Sequence, residues 1–320
     1  MRLNRTVLTL GLAAAATVCS FGARAQETKV AIGISGWTGF APLTLAKEAG
    51  LFKKFGLDVT IKKIPQKDRH LALASGDIQC AATTVETWIV WNANGVAATQ
   101  IFQLDKSYGA DGMVVKPGIE KIADLKGKTI AASAPGTAPY FTAAWMLKKN
   151  GVSIKDVKVL TLEPQPVANA LLAGTGGFDA GMTYEPYLSS VRAKPEAGKI
   201  IATTLDYPMV MDTFGCTPKF LAENPKAAKA FADGYFAALD MIKAEPKKSF
   251  EIMGADVKQS AEAFEGSQKF LRWQDRAANQ KFFTGEFQAF SKEAADLLLD
   301  IGIIKAVPDL GKLADTQFIK

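Results

Sequence analysis

Few residues in this chain can carry chemistry. His70 is the single histidine among 320 residues, which leaves little room for a Ser-His-Asp arrangement, and there is no G-x-S-x-G turn. The sequence contains no CxxC, no Cys/His spacing of a metal site and no phosphate-binding P-loop. The pattern suited to holding a ligand is in residues 30–52, VAIGISGWTGFAPLTLAKEAGLF. Val30, Ile32 and Ile34 alternate with small residues, as in a half-buried strand. Ser35-Gly36-Trp37-Thr38-Gly39 breaks that strand. Pro42 suits a first helical turn, and Leu43, Ala46 and Lys47 begin a helix that ends near Gly50. A strand–loop–helix junction points free backbone N–H groups into a cleft, where they suit an anion or a polarised carbonyl. Trp37 adds a flat apolar wall with one donor. The loop therefore reads as half of a ligand site, although a βα turn with a core tryptophan fits the same residues.

The elements around this loop alternate between strand and helix, the pattern of an α/β fold. Strands are expected at residues 59–64, 78–83, 96–104, 113–116, 129–133, 157–162, 178–183, 199–205 and 210–217. Helices are expected at 67–75, from 84, and at 140–149, 165–173, 226–243, 247–254 and 285–301. From Pro218 onward the chain reads as almost wholly helical. Residues 72–88, ALASGDIQCAATTVETW, compare with residues 170–187, ALLAGTGGFDAGMTYEPY. Each has a helix end, a glycine turn, a strand and then an acid at a helix start, about 100 residues apart. This repeat predicts two similar lobes. Lobe 1 is residues 26–112 with 214–320, lobe 2 is residues 113–213, and two crossover strands form the hinge.

At 48% hydrophobic and 22% charged, the chain can bury a substantial core. Residues 1–25 read as a secretory signal: Arg2 and Arg5, an apolar run over 7–18, and Ala23-Arg24-Ala25 before Gln26. The run is short for a membrane span, and Ala16-Thr17-Val18 before Cys19 is a poor lipoprotein signal. Removing Arg2, Arg5 and Arg24 takes the 38 basic residues to 35 against 32 acids, a net charge of +3. That excess does not call for nucleic acid. Cys80 and Cys216 then remain. An oxidising compartment permits one disulfide, but both lie in apolar runs where two buried free thiols are at least as well accommodated.

The motifs GWTGFAP, LAKEAGLFKKFGLDVTI, ALASGDIQCAATT, IADLKGKTIAASAPGT, ALLAGTGGFDAGMTYEP and FLAENP span residues 30–225. In this order and spacing the chain resembles the periplasmic solute-binding proteins of ATP-binding-cassette importers in the nitrate/sulfonate/taurine group, which includes binders of thiamine-pyrimidine precursors. The resemblance implies a type II periplasmic-binding-protein fold with the ligand between the lobes. It also implies a monomer in the periplasm that delivers a small molecule to a membrane permease, with no cofactor and no catalysis. A ligand-sensing protein for a membrane receptor would use the same lobes. The family's eukaryotic thiamine-pyrimidine-synthase branch uses a cysteine-rich iron site and a sacrificed histidine. This chain has no cysteine cluster, and His70 in KDRH reads as solvated.

Matching positions imply a site built from five loops: Trp37, Thr38 and Gly39; Thr84 and Glu86; Asp111 and Gly112; Gly136, Thr137 and Tyr140; and Tyr184 and Glu185, with Asp212 on the return strand. Each has a plainer role open to it. Thr84 is a good N-cap, Glu86 and Glu185 suit the positive end of a helix, and Asp111-Gly112 suits a turn. The set holds four acids and no Arg, Lys or His. Buried like charges are costly unless paired. The expected ligand is therefore a small organic solute bearing an amine, amide or sulfonate, taurine-like or urea- and pyrimidine-like. Helix N-termini would hold its anionic or carbonyl end, and acids and aromatic faces its cationic or N–H end.

Overall fold

A computed structural model describes residues 27–320; the signal expected over residues 1–25 lies outside them. Two mixed sheets form the frame. The first runs β11-β4-β10-β3-β1-β2, from β1 (Thr28–Ile34), β2 (Leu57–Lys63), β3 (Cys80–Thr84), β4 (Thr99–Ser107), β10 (Met211–Cys216) and β11 (Leu271–Trp273). The second runs β7-β6-β8-β5-β9, from β5 (Asp111–Val115), β6 (Thr129–Ala132), β7 (Lys158–Thr161), β8 (Ala180–Tyr184) and β9 (Lys199–Thr203). In the first sheet β1 is parallel to β2 and β3, and β10 is antiparallel to β3 and β4. In the second, β6 is parallel to β7 and β8, and β5 is antiparallel to β8 and β9.

Helices fill the connections: α1 (Ala41–Glu48), α2 (Leu51–Lys54), α3 (Gln66–Ser75), α4 (Val85–Ala93), α5 (Ala138–Lys149), α6 (Pro164–Leu172) and α7 (Tyr187–Arg192). The alternation in β1 works as expected, burying Val30, Ile32 and Ile34. Pro42 sits in the first turn of α1. Gly50 follows that helix with φ +69, a left-handed conformation open to glycine at little cost. The chain passes from the first sheet to the second between Ser107 and Asp111, and returns between Thr203 and Met211. Asp111 and Gly112 thus open the second sheet.

After β10 come α8 (Pro218–Glu223), α9 (Pro225–Ala244), α10 (Pro246–Asp256), α11 (Ala261–Gln268), α12 (Arg276–Lys281) and α13 (Phe287–Asp300). This region contains a strand the sequence did not signal. β11 pairs with the edge of β4, Leu271 opposite Ser107. Three residues are too few for a legible alternation. Phe102 stacks on Phe214 at 5.1 Å, and Phe214 meets Phe231 of α9 at 4.9 Å, which seats α9 on the first sheet. Cys80 and Cys216, directly opposed across β3 and β10, form a disulfide. The expectation of free thiols at least as readily as a bridge is corrected by that register. Among the described residues no helix is long and apolar enough to cross a membrane.

Candidate ligand-binding site

A cavity of about 30 Å³ lies where the two sheets meet. The loop after β1 supplies Ser35, Trp37 and Phe40, and α3 supplies Gln66 and Arg69. Thr84, Asp111, Ala138, Tyr184, Val210 and Asp212 complete the lining. Trp37 is 4% exposed. Its indole N–H points at both carboxyl oxygens of Asp105, at 3.2 and 3.3 Å. Its ring meets Tyr184 edge to face at 5.4 Å, a favoured aromatic geometry. Gly39 makes this packing possible, since a Cβ there would lie 2.2 Å from Asp105 Oδ2 and from Trp37 Nε1. The Gly39 carbonyl accepts a hydrogen bond from Trp273 Nε1 at 3.1 Å.

Four acids crowd this region. Asp111 heads β5 opposite Tyr184, and Asp212 of β10 lies opposite both Thr84 and Asp105. Asp105, Asp111, Asp212 and Glu86 are all buried. Burial pushes the Glu86 carboxyl up to about 8, against a hydrogen bond from Thr84 that favours its ionised form. Burial likewise pushes Asp111 up to about 7. Burial raises Asp105 well above the usual carboxylate range, with Asp111 adding to it. Asp212 is raised by burial first and then by Asp105, Asp111 and Glu86. These are the shifts expected when carboxylates lose water and face one another. Glu86 Oε2, Asp111 Oδ2 and Thr38 Oγ1 are buried with no hydrogen-bond partner in the fold. An orphaned buried acceptor costs roughly 1–3 kcal/mol and calls for an explanation.

The expectation that the site holds no cation is corrected by Arg69. It is 1% exposed and lines the cavity. Its guanidinium donates to the Ile64 carbonyl at 2.9 Å and to the Ala82 carbonyl. Burial lowers its pKa to about 10, with Tyr184, Asp212 and Glu163 opposing the shift, so it stays charged at neutral pH. The run KDRH concealed this role, because a polar helix start reads as solvated surface. The next residue, His70, was expected to be solvated but is half-buried, 6.2 Å from the ring of Trp91. Asp105 and Gln66 also escaped sequence reasoning: one is an acid inside an apolar strand, the other the first residue of a polar helix.

The structure therefore brings Trp37, Thr84, Asp111, Tyr184 and Asp212 to one cavity. Glu86 adjoins them through Thr84, whose hydroxyl donates to Glu86 Oε1. Thr38 and Gly39 follow Trp37 in its loop, and the other five expected residues lie outside the lining. Glu185 is fully buried but satisfied within the fold, accepting from Arg192 and from the Ser189 N–H at 3.1 Å. Gly112 makes room for Leu188, which a Cβ would meet at 2.9 Å. Gly136 has φ +84 and packs against Val90. Thr137 turns its hydroxyl to the Ala134 carbonyl at 2.7 Å. Tyr140 is half-buried and outside the lining. No group of His, Cys, Asp and Glu among the described residues is arranged to hold a metal.

With this geometry in view, the chain can be set beside known proteins. A binding protein of Brucella abortus is 26% identical over 255 residues, covering 78% of this chain and 77% of that one. The taurine-binding periplasmic protein of Escherichia coli is 27% identical over 210 residues, covering 63% of this chain and 61% of that one. The alkanesulfonate-binding protein SsuA of Xanthomonas axonopodis, solved with MOPS bound, superposes with a TM-score of 0.75 at 17% identity. It covers 91% of this chain and 99% of its own. These likenesses establish the periplasmic-binding-protein fold anticipated from the sequence. The model described as "NMT1/THI5 like" matches residues 37–249, more than half the chain and all of the cavity loops from Trp37 to Asp212, and this chain therefore belongs to the NMT1/THI5-like family.

Proposed function

We propose that this protein is the extracytoplasmic solute-binding subunit of an ATP-binding-cassette importer, and that its ligand is a small organic molecule with a cationic or N–H-rich end. The observation that carries this reading is a pair of buried, unpartnered carboxyl oxygens: Asp111 Oδ2, of a residue lining the cavity with Trp37 and Tyr184, and Glu86 Oε2, joined to the lining through Thr84. A cationic amine or amidine would donate to these oxygens and favour their ionised forms, which burial alone disfavours. Trp37 and Tyr184 supply faces for a cation or a flat ring. A bare inorganic anion would be set among carboxyl groups, with Arg69 the one cation in the lining. The binding-protein names of the relatives agree with capture rather than catalysis.

A cavity of about 30 Å³ is far below the roughly 300–1,000 Å³ of a ligand pocket, so a ligand of several heavy atoms would enter as the halves part. The first sheet with its helices would move as one lobe and the second sheet with its helices as the other, so that Asp111 and Gly112 go with the second and Met211, Asp212 and Thr213 with the first, hinged at the two crossings. The ligand would favour closure by touching both lobes, and the closed monomer would dock on a permease in the membrane. Thermal-shift screening followed by calorimetry tests the reading, since a bound ligand raises apparent stability. Amines, amidines, amides and aminopyrimidines are expected to bind. Tight binding of nitrate or a simple alkanesulfonate, with none of these compounds binding, would refute it.

A further inference from the structure

Gln66 spans the cavity. It is the first residue of α3, which follows β2 of the first sheet, and its carboxamide oxygen accepts the Ala138 N–H of α5 at 3.1 Å. α5 lies between β6 and β7 of the second sheet. The Gln66 NH2 is held on its own side by Thr83 Oγ1 at 2.6 Å and Thr87 Oγ1 at 2.9 Å. These partners fix the orientation of the amide, because a flipped amide would set NH2 against the Ala138 N–H, donor against donor. The chain of hydrogen bonds continues from Thr87 to Thr84 at 2.9 Å and on to Glu86.

The first free N–H groups of a helix are where an anion is most readily received. In α5 that position opens on the cavity, since Ala138 lines it, and Arg69 lies one turn beyond Gln66 in the same lining. A helix N-terminus beside a buried arginine would ordinarily favour a sulfonate or carboxylate. Here a neutral oxygen of the protein already occupies the amide. We propose that Gln66 is a specificity-determining residue that keeps anionic groups away from the α5 N-terminus and narrows the ligand to molecules without a sulfonate or carboxylate. This deepens the proposed function and rests on its reading of the cavity as the ligand site.

The test is calorimetric titration of the whole protein with methanesulfonate, using wild type, Gln66→Ala and Gln66→Glu. Gln66→Ala frees the Ala138 amide and is expected to raise methanesulfonate affinity by about tenfold, the worth of one charge-assisted hydrogen bond at a helix start. Gln66→Glu replaces one acceptor with another and is expected to give no gain. Gln66→Ser is too short to reach Ala138 and should behave like Gln66→Ala, which covers a folding failure of Gln66→Ala. Equal methanesulfonate affinity in wild type, Gln66→Ala and Gln66→Ser would overturn the proposal, as would the same gain in Gln66→Glu. A parallel titration of wild type with acetamidinium separates the two readings. If acetamidinium does not bind, the acid site fails, while the Gln66 comparison still stands on its own result.

Discussion

Glu86→Gln should make the ligand-free protein more stable at alkaline pH and a poorer binder. Glu86 has a usual pKa of 4.5, raised by burial to about 8 in the fold. Below about 4.5 the carboxyl is protonated in both folded and unfolded chains, and its contribution to stability is fully present. Between there and about 8 the unfolded chain ionises while the folded one keeps its proton. The unfolded state then binds fewer protons, so stability falls as pH rises. A tenfold difference in proton affinity between the two states is worth about 1.4 kcal/mol, which sets a ceiling of ~5 kcal/mol; relaxation of the buried site makes ~2–4 kcal/mol the expected loss. Glutamine cannot ionise but keeps an acceptor for the Thr84 hydroxyl. Urea denaturation of both proteins at about pH 5 and about pH 8.5 reads the difference. The variant should match wild type within ~1 kcal/mol at the lower pH and exceed it by ~2–4 kcal/mol at the higher. Acetamidinium affinity at the higher pH should fall about tenfold or more, because the charge that would pair with it is gone. An equal stability gap at both pH values would show that Glu86 does not hold its proton in the fold, and the unsatisfied acid site would lose its energetic basis.

Three further substitutions probe the parts around that site. Trp37→Ala removes an aromatic wall and the donor to Asp105, and should weaken binding by ~1–3 kcal/mol; unchanged affinity by calorimetry would remove the first loop from the site. Arg192→Met should destabilise the protein by ~3 kcal/mol in thermal unfolding, because it strands the fully buried Glu185; a loss below ~1 kcal/mol would mean that water or the Ser189 amide suffices for that acid. Gly39→Ala forces a methyl into contact with Asp105 and Trp37 and should cost ~1–3 kcal/mol of stability, read from the urea midpoint, with a loss of affinity because Trp37 must move.

The frame was legible because hydrophobic period and glycine turns report local geometry. β1 (Thr28–Ile34) follows from the alternation of Val30, Ile32 and Ile34, while α5 (Ala138–Lys149), expected from residue 140, starts two residues earlier because Pro139 fits its first turn. The repeat was legible too, since ALASGDIQC and ALLAGTGGFDA share their turn chemistry. Pairing across the chain was not. The disulfide depends on Cys216 lying opposite Cys80 in an antiparallel register, which no local pattern encodes. Arg69 went unnoticed because sequence cannot show that Ile64 and Ala82 turn carbonyls toward it. Gly39 and Gly112, read as ligand contacts, are places where neighbouring side chains need the space of a missing Cβ.

Apart from β11 at the edge of the first sheet, the two halves correspond strand for strand, and this explains where the acids are. The orders β4-β10-β3-β1-β2 and β9-β5-β8-β6-β7 match with the same parallel and antiparallel neighbours. Strand starts pair as Thr28 with Thr129, Leu57 with Lys158, Cys80 with Ala180, Thr99 with Lys199 and Asp111 with Met211, each about 100 residues apart. In each half the fourth strand runs into a crossing, and the next strand enters the other sheet. β5 and β10 are therefore exchanged elements, antiparallel to the strands they join. Asp111 and Asp212 stand at their entries, opposite Tyr184 and Thr84. In the movement proposed above, one half would turn against the other about these crossings, and the two carboxyls lie where such closure would change their surroundings most directly. A cation bound between them would offset both burial and mutual repulsion, and its binding energy would act at the hinge itself.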